Sequence, residues 1–341
     1  MPAEWEPHEA TWLAWPHNRS DWPGKFDPIP WVYGEIVYHL ARAERVHILV
    51  NDAVAEHRVQ AALEQANAMR DSIEFHRWPT NRVWTRDYGP MFVKRTQPRD
   101  VAVVDFHFNA WAKYSDWKHD DQIAGRAAKA LGCARVTPEA VDGRRVVLEG
   151  GSIDVNGRGS LLTTEECLLS PVQQRNPGST RAELEKVFRR YLGVTHTIWL
   201  GRGVAGDDTH GHIDDIARFT GPRTVVAAVE TNRRDANHHP LAENLKRLRA
   251  ATDQNGRPLE VVELPLPRPI VFREQRLPAS YANFYVANGL VLVPTFNDAN
   301  DRIALNTLAA LFPDRNVVGI HCGDLIWGLG ALHCMTQQQP K

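Results

Sequence analysis

The amino-acid sequence predicts an α/β fold built from repeated β-β-α-β units, and three observations point to it. Short apolar runs rich in Val, Ile and aromatic residues alternate with stretches of helical spacing along the whole chain. No low-complexity linker divides them, which predicts a single domain over residues 1–341. Segments carrying an unusual polar residue recur: Asp87, Glu149, His212, Asn283 and Cys334 follow one another at intervals of 62, 63, 71 and 51 residues. Units of that size suit a module repeated radially, each sending one side chain inward.

Ile36, Val37, Leu40 and Ala41 fall at helical spacing and predict a first helix over residues 31–43. The run Arg45–Val50 reads as a buried strand ended by Asn51 and Asp52. A second helix is expected over 52–69, carried by Val54, Val59, Ala62 and Leu63. Further helices are expected over 121–131, 181–192, 241–251 and 302–312, the last stopped by Pro313. Strands are expected at 101–106, 146–148, 160–162, 223–228, 290–293 and 317–320. The proline-rich run 264–269 reads as a surface loop, as do His238 and His239, and residues 297–301 read as the cap of the helix that follows.

Composition narrows the function classes. The formal net charge of -1 gives no electrostatic reason to expect nucleic acid or an anionic membrane as partner. No stretch approaches the roughly 20 apolar residues of a spanning helix, and the polar N-terminal residues lack the regions of a signal peptide. A cytoplasmic location is therefore expected. The four cysteines, without C-x-x-C spacing, form neither a disulfide framework nor a structural zinc site.

Four segments carry chemistry. Cys334 lies between a glycine-containing run, Gly328-Leu-Gly330, and the polar Thr336-Gln-Gln338. It reads either as a nucleophile, which needs a cation, a His or a helix terminus to ionise, or as a small buried hydrophobe. Cys322 lacks the polar tail and reads as structural. Asp207-Asp-Thr-His-Gly-His-Ile-Asp-Asp215 is the densest polar cluster. Read as a strand, it turns His210, His212 and Asp214 to one side, an arrangement for acid–base work, for a metal, or for neither if the segment is a polar turn. In Trp84-Thr-Arg-Asp-Tyr-Gly-Pro90, a carboxylate beside an indole suits a guanidinium, with a surface Arg86–Asp87 pair as the plainer alternative. Glu149, after an apolar run and before Gly150-Gly151, is hard to bury unless paired.

Together, Trp84-Thr-Arg-Asp-Tyr-Gly-Pro90, Glu149-Gly-Gly151, Gly211-His-Ile-Asp214 and His333-Cys-Met-Thr-Gln-Gln338 resemble the agmatine deiminase / bacterial peptidylarginine deiminase family. Met1-Pro-Ala-Glu-Trp-Glu-Pro-His8 and Trp12-Leu-Ala-Trp-Pro16 resemble its opening, so the likeness spans the chain. The resemblance implies a five-bladed α/β propeller, the pentein fold of guanidino-modifying enzymes, with the site on its axis. It implies Cys334 as nucleophile, His212 as general acid/base, Asp87, Asp214 and Glu149 around the guanidinium, and Trp84 lining the pocket. It also implies no metal or organic cofactor, a small guanidino substrate as partner, and packing into homodimers. Agmatine is the expected substrate, with free or peptidyl arginine as alternatives. Leu329 and Ala331 depart from the family's Gly-Gly-Gly-Asn-Ile-His-Cys run, which bears on substrate identity. Two readings of other classes stand beside this one: a metal-dependent amidohydrolase built on His210, His212 and Asp214, and a non-catalytic binding protein on the same propeller.

Overall fold

In the computed structural model, which describes residues 1–97, 99–140 and 142–341, strands and helices alternate as the sequence predicts. Strands β1 (His8–Ala14), β2 (Arg45–Val50) and β3 (Ile73–Arg77) pair in parallel. Parallel neighbours need a crossover, supplied by α1 (Ile29–Ala43) and α2 (Ala53–Gln65). Helix α1 buries Tyr33, Ile36, Val37 and Leu40, while the Asp52 carboxylate accepts the Ala55 amide at 2.7 Å and so caps α2. The single turn α3 (Thr85–Tyr88) then leads into β4 (Met91–Thr96), which is antiparallel to β5 (Arg99–Val104). After α4 (Ile123–Ala130), β6 (Ala134–Val136) returns parallel to β5.

That pattern of antiparallel pair, helix and parallel strand recurs. It is seen in β7 (Asp154–Val155), β8 (Ser160–Thr164), α5 (Glu165–Leu169), α6 (Arg181–Val187) and β9 (His196–Leu200). It is seen again in β10 (Ala217–Phe219), β11 (Thr224–Val229), α7 (His238–Ala250) and β12 (Glu260–Pro265). A small hairpin, β13 (Val271–Phe272) and β14 (Gln275–Arg276), precedes the next unit. That unit comprises β15 (Tyr285–Ala287), β16 (Leu290–Thr295), α8 (Ala299–Leu311) and β17 (Asn316–His321). Finally β18 (Gln337–Pro340) pairs antiparallel with β1, giving a four-stranded sheet of order β18-β1-β2-β3.

The recurring polar residues now have a structural meaning. Asp87 precedes β4, Glu149 precedes β7, His212 precedes β10, Asn283 precedes β15 and Cys334 precedes β18. Each stands in the short segment that feeds the first strand of a sheet unit, so their spacing in sequence is the length of one unit.

Several elements differ from expectation. Residues 146–148 form no strand; Val147 makes only an isolated bridge to His107. The proline-rich run begins inside β12 and buries Leu264 and Leu266. Pro265 is tolerated because it ends the edge strand of its sheet. His238 and His239 are not in a loop but open α7. The helix expected over 181–192 divides into α6 and a π-helical turn, Phe188–Leu192, that stops at Gly193 in the left-handed region (φ 72°). Residues 297–301 do cap α8, through a reciprocal pairing of Asp298 and Asp301. Cys322 is buried in the apolar core, and burial pushes its thiol pKa upward. Among the described residues, no helix is long and apolar enough to cross a membrane.

Candidate active site

Asp87 lies on α3, where Trp111 Nε1 donates to its Oδ2 at 2.9 Å and the Gly151 amide to its Oδ1 at 3.1 Å. Burial pushes its pKa up to about 6; the His212 imidazole opposes the rise, while Asp214 and Glu149 add to it. Trp111 reaches Asp87 from a strained segment, since Ala110, Trp111 and Ala112 all have positive φ (50°, 59° and 53°). The Arg86–Asp87 pair is not on the surface. Arg86 is buried and donates to Gln338 Oε1 at 2.6 Å and Glu4 Oε2 at 3.3 Å.

The glycines after Glu149 are demanded by close approach. A Cβ on Gly151 would stand 2.5 Å from His212 Nδ1 and 2.8 Å from Asp87 Oδ1. Glu149 itself is fully buried, and its charge is met by Arg175, whose Nε donates to Oε1 at 3.0 Å. Burial works against the carboxylate, but Arg175 and His212 outweigh it and hold the pKa at about 2.

His212 stands between two acids. Its Nδ1 is 3.8 Å from Asp87 Oδ1 and its Nε2 is 3.8 Å from Glu149 Oε2. Neither ring nitrogen makes a hydrogen bond, and Glu149 Oε2 and Asp214 Oδ1 are also buried without partners. Burial disfavours the imidazolium, yet the facing carboxylates, Asp87 foremost, raise its pKa well above the ordinary value. Cys167 Sγ completes a group with Glu149 and His212 whose atoms lie within 4.8 Å of one another.

Asp214 accepts from His333 Nδ1 at 2.7 Å, and His333 Nε2 pairs with Glu4 Oε2 at 2.8 Å. Burial opposes ionisation of Asp214, but His333 lowers its pKa below the usual range. Asn283 organises the sulfur. Its Oδ1 accepts the amides of His333 at 3.0 Å and Cys334 at 3.3 Å, and its Nδ2 donates to Cys334 Sγ at 3.1 Å and Asp215 Oδ1 at 3.0 Å. Asp214 Oδ2 is 3.6 Å from Cys334 Sγ. Burial, with Asp214, Asp215 and Asp87 nearby, pushes the Cys334 thiol pKa well up.

Trp84, Asp87 and Cys334 line one cleft of about 140 Å³, with Trp111, Trp327 and Leu329 among its walls. His212, Glu149 and Asp214 are buried and not among its lining residues; His212 is 3.8 Å from Asp87 and Asp214 is 3.6 Å from Cys334 Sγ. Gly330 lets the chain pass over Trp84, since a Cβ there would sit 2.6 Å from Trp84 Cζ3, and Leu329 takes a left-handed φ of 68° at the wall. The arrangement offers a thiol, a proton-carrying imidazole and buried carboxylates to a small planar cation.

The strand expected across His210, His212 and Asp214 does not form. His210 is left-handed (φ 65°) and bonds Ser170 Oγ through Nε2 at 3.1 Å, and His212 precedes the 3-10 turn Ile213–Asp215. The turn breaks the two-residue alternation that would align the three side chains. Among the described residues, neither cluster with metal-ligand spacing contains His210 or Asp214. Sequence reasoning gave no role to Trp111, Arg175, His333 or Glu4. The one signal was the place of His333 and Glu4 in the segments that resemble the family; Trp111 and Arg175 carry none, because their partners are 24 and 26 residues away.

Comparison with known proteins places these residues in a family. Residues 1–340 match the Porphyromonas-type peptidyl-arginine deiminases. The chain is 35% identical to the agmatine deiminase of Ectopseudomonas mendocina, covering 100% of this chain and 95% of that one. It is 36% identical to a putative agmatine deiminase of Legionella pneumophila, again over 100% and 95%. Among solved structures, the agmatine deiminase of Enterococcus faecalis superposes with a TM-score of 0.90 at 30% identity, covering 100% of this chain and 95% of that one.

Proposed function

The chain belongs to the Porphyromonas-type peptidyl-arginine deiminase family, and on that premise we propose that it hydrolyses agmatine to N-carbamoylputrescine and ammonia through a covalent intermediate on Cys334. It is a hydrolase acting on C–N bonds of linear amidines. The observation that carries the proposal is the presence of the Cys334 thiol and the Asp87 carboxylate in one cleft, with the buried His212 3.8 Å from both Asp87 and Glu149. We read the five repeated sheet units as blades of a propeller within one catalytic domain, each delivering one of the five polar residues.

A guanidinium resists attack because resonance spreads its charge over three nitrogens. Asp87 and Asp214 hold its edges, and the added positive charge favours the Cys334 thiolate that the empty acidic site disfavours. The thiol proton leaves to solvent as substrate binds. The thiolate forms a C–S bond, giving a neutral tetrahedral adduct. His212, protonated at rest, gives its proton to one amino group, the C–N bond breaks, and ammonia departs from a thiouronium cation. Neutral His212 then takes a proton from water, whose oxygen attacks the same carbon. Collapse breaks the C–S bond, the hydroxyl proton passes to the departing sulfur, and the ureido product and the Cys334 thiol remain. Glu149, kept ionised by Arg175, stabilises the imidazolium before the first proton transfer and after the second.

The cleft supports agmatine over arginine. Asp21, Asp87 and Asp208 line it, whereas Arg82, also in the lining, is already engaged by Asp21 at 2.5 Å and Asp116 at 3.2 Å. Asp208 is paired with Lys113 in turn, so among the described lining residues the cleft offers the Asp87 carboxylate to a cation and no uncommitted guanidinium to an α-carboxylate. Ammonia release from agmatine, arginine and arginyl peptides tests the reading, with Cys334→Ser as control. C334S should lose turnover and keep its unfolding temperature; an active Ser variant, or a preference for arginine, overturns the corresponding half of the proposal.

A further inference from the structure

A second cluster lies away from the cleft, on strands β2 and β3. In their parallel register His47 faces Glu74, and His76 follows two residues later on the same face. His47 Nδ1 and His76 Nε2 are 2.8 Å apart, and Glu74 directs Oε2 to the first at 3.6 Å and Oε1 to the second at 3.7 Å. The two imidazoles can share only one hydrogen between them. Glu74, half-exposed, stands beyond hydrogen-bonding range with one oxygen turned to each ring nitrogen.

We propose that His47, His76 and Glu74 form a binding site for a divalent transition metal, with Ni²⁺ or Cu²⁺ as the fitting ions. The three side chains offer ligand atoms that all lie within 4.8 Å of one another. Two nitrogens bound cis at about 2.0 Å and a right angle would be about 2.9 Å apart, against about 3.3 Å for a tetrahedral pair, so the rings, now hydrogen-bonded at 2.8 Å, reach either spacing by a shift of about half an ångström or less, and their imidazole nitrogens suit Ni²⁺ and Cu²⁺. A small swing of Glu74, half-exposed, brings one oxygen into a third position and leaves the rest to water. The ring that carries the shared hydrogen passes it to its other nitrogen.

The rings are held ready for this. Trp12 stacks on His47 (4.1 Å between centroids, 21°) and on His76 (5.0 Å, 20°), and Trp78 covers His76 at 4.5 Å. Fixed ring planes of this kind confer the ligand orientation that outer contacts usually supply. The competing cation is Arg45, whose Nη1 is 3.8 Å from Glu74 Oε2 on the exposed side. Because Trp12 is paired in register with Gln337, a metal here would also brace the sheet in which β1 and β18 meet.

Titration of the full chain with NiCl₂ by calorimetry, followed in parallel by ultraviolet–visible absorption and tryptophan fluorescence, tests the site. One saturable equivalent is expected, with quenching from Trp12 and Trp78, a rise in unfolding temperature, and no sulfur-to-nickel charge-transfer band. His76→Ala and the surface change Glu74→Ala should each weaken binding at least tenfold, and E74A should leave agmatine turnover unchanged. Absence of saturable binding, binding indifferent to E74A, or a charge-transfer band showing that a cysteine is the ligand would overturn the proposal.

Discussion

Trp111→Phe isolates one hydrogen bond, that from the indole Nε1 to Asp87 Oδ2 at 2.9 Å, while keeping an aromatic wall on the cleft. A hydrogen bond to a charged group is worth about 1.5–3 kcal/mol, and one pKa unit corresponds to about 1.4 kcal/mol, so losing this donor raises the Asp87 pKa by about 1–2 units. Burial already raises this carboxyl to about 6, and only its ionised form grips a cation. Activity is thus present above that pKa and lost as pH falls through it. In W111F the acid limb of kcat/KM should move from about 6 to about 7–8, cutting kcat/KM at pH 7 by about 2–10-fold and much less at pH 9. Ammonia release measured from pH 5 to 9 reads this directly. An acid limb that stays in place, or a loss equal at every pH, would refute the assignment of Trp111 as a positioning residue for Asp87.

Three further changes bear on the same site. Gly151→Ala drives a methyl between His212 and Asp87, where only 2.5 and 2.8 Å are available, and should cut kcat by at least about 100-fold, as displacements of about 1 Å do, with the circular dichroism spectrum retained. Arg175→Met leaves Glu149 buried without its cation and should cost about 3–5 kcal/mol in urea unfolding. Glu149, with a folded pKa of about 2, contributes stability that is present above the ordinary carboxylate range and lost as pH falls towards 2; in R175M that acid-side loss should begin at higher pH. Asn283→Ala removes the donor to Cys334 Sγ, worth about 1.5 kcal/mol to a thiolate, and should slow iodoacetamide alkylation about tenfold at pH 7.

The alternation of elements was legible because strands and helices here follow ordinary periodicity. α1, β2 and α8 were found within a few residues of their observed bounds, from apolar spacing and a terminating Asp or Pro. Asp87, Glu149 and Cys334 stood out because a polar residue in an apolar or glycine-containing run calls for a partner, and the structure supplies a hydrogen-bond partner for each; His212 stood out by the density of its polar cluster and faces two carboxylates at 3.8 Å without a hydrogen bond. Their partners were not legible. Trp111 and Arg175 stand 24 and 26 residues from their partners within one sheet unit, and Glu4 acts across units; at those separations neither spacing nor propensity carries information. The His210 strand failed for a local reason: left-handed backbone at His210 and Gly211 turns the segment before its alternation can begin. His238 read as loop because Pro240 follows closely, yet proline is tolerated in the first turn of a helix.

The turns that feed the sheets are joined by interactions between residues far apart in the chain: 51 positions between Asn283 and Cys334, 64 between Asp87 and Gly151, and 120 between Asp214 and Cys334. No single unit can hold the constellation, because its groups are delivered by different units. Loss of turnover and loss of tertiary structure should therefore coincide along a denaturant gradient, making enzymatic activity a gauge of cooperative folding for the whole chain.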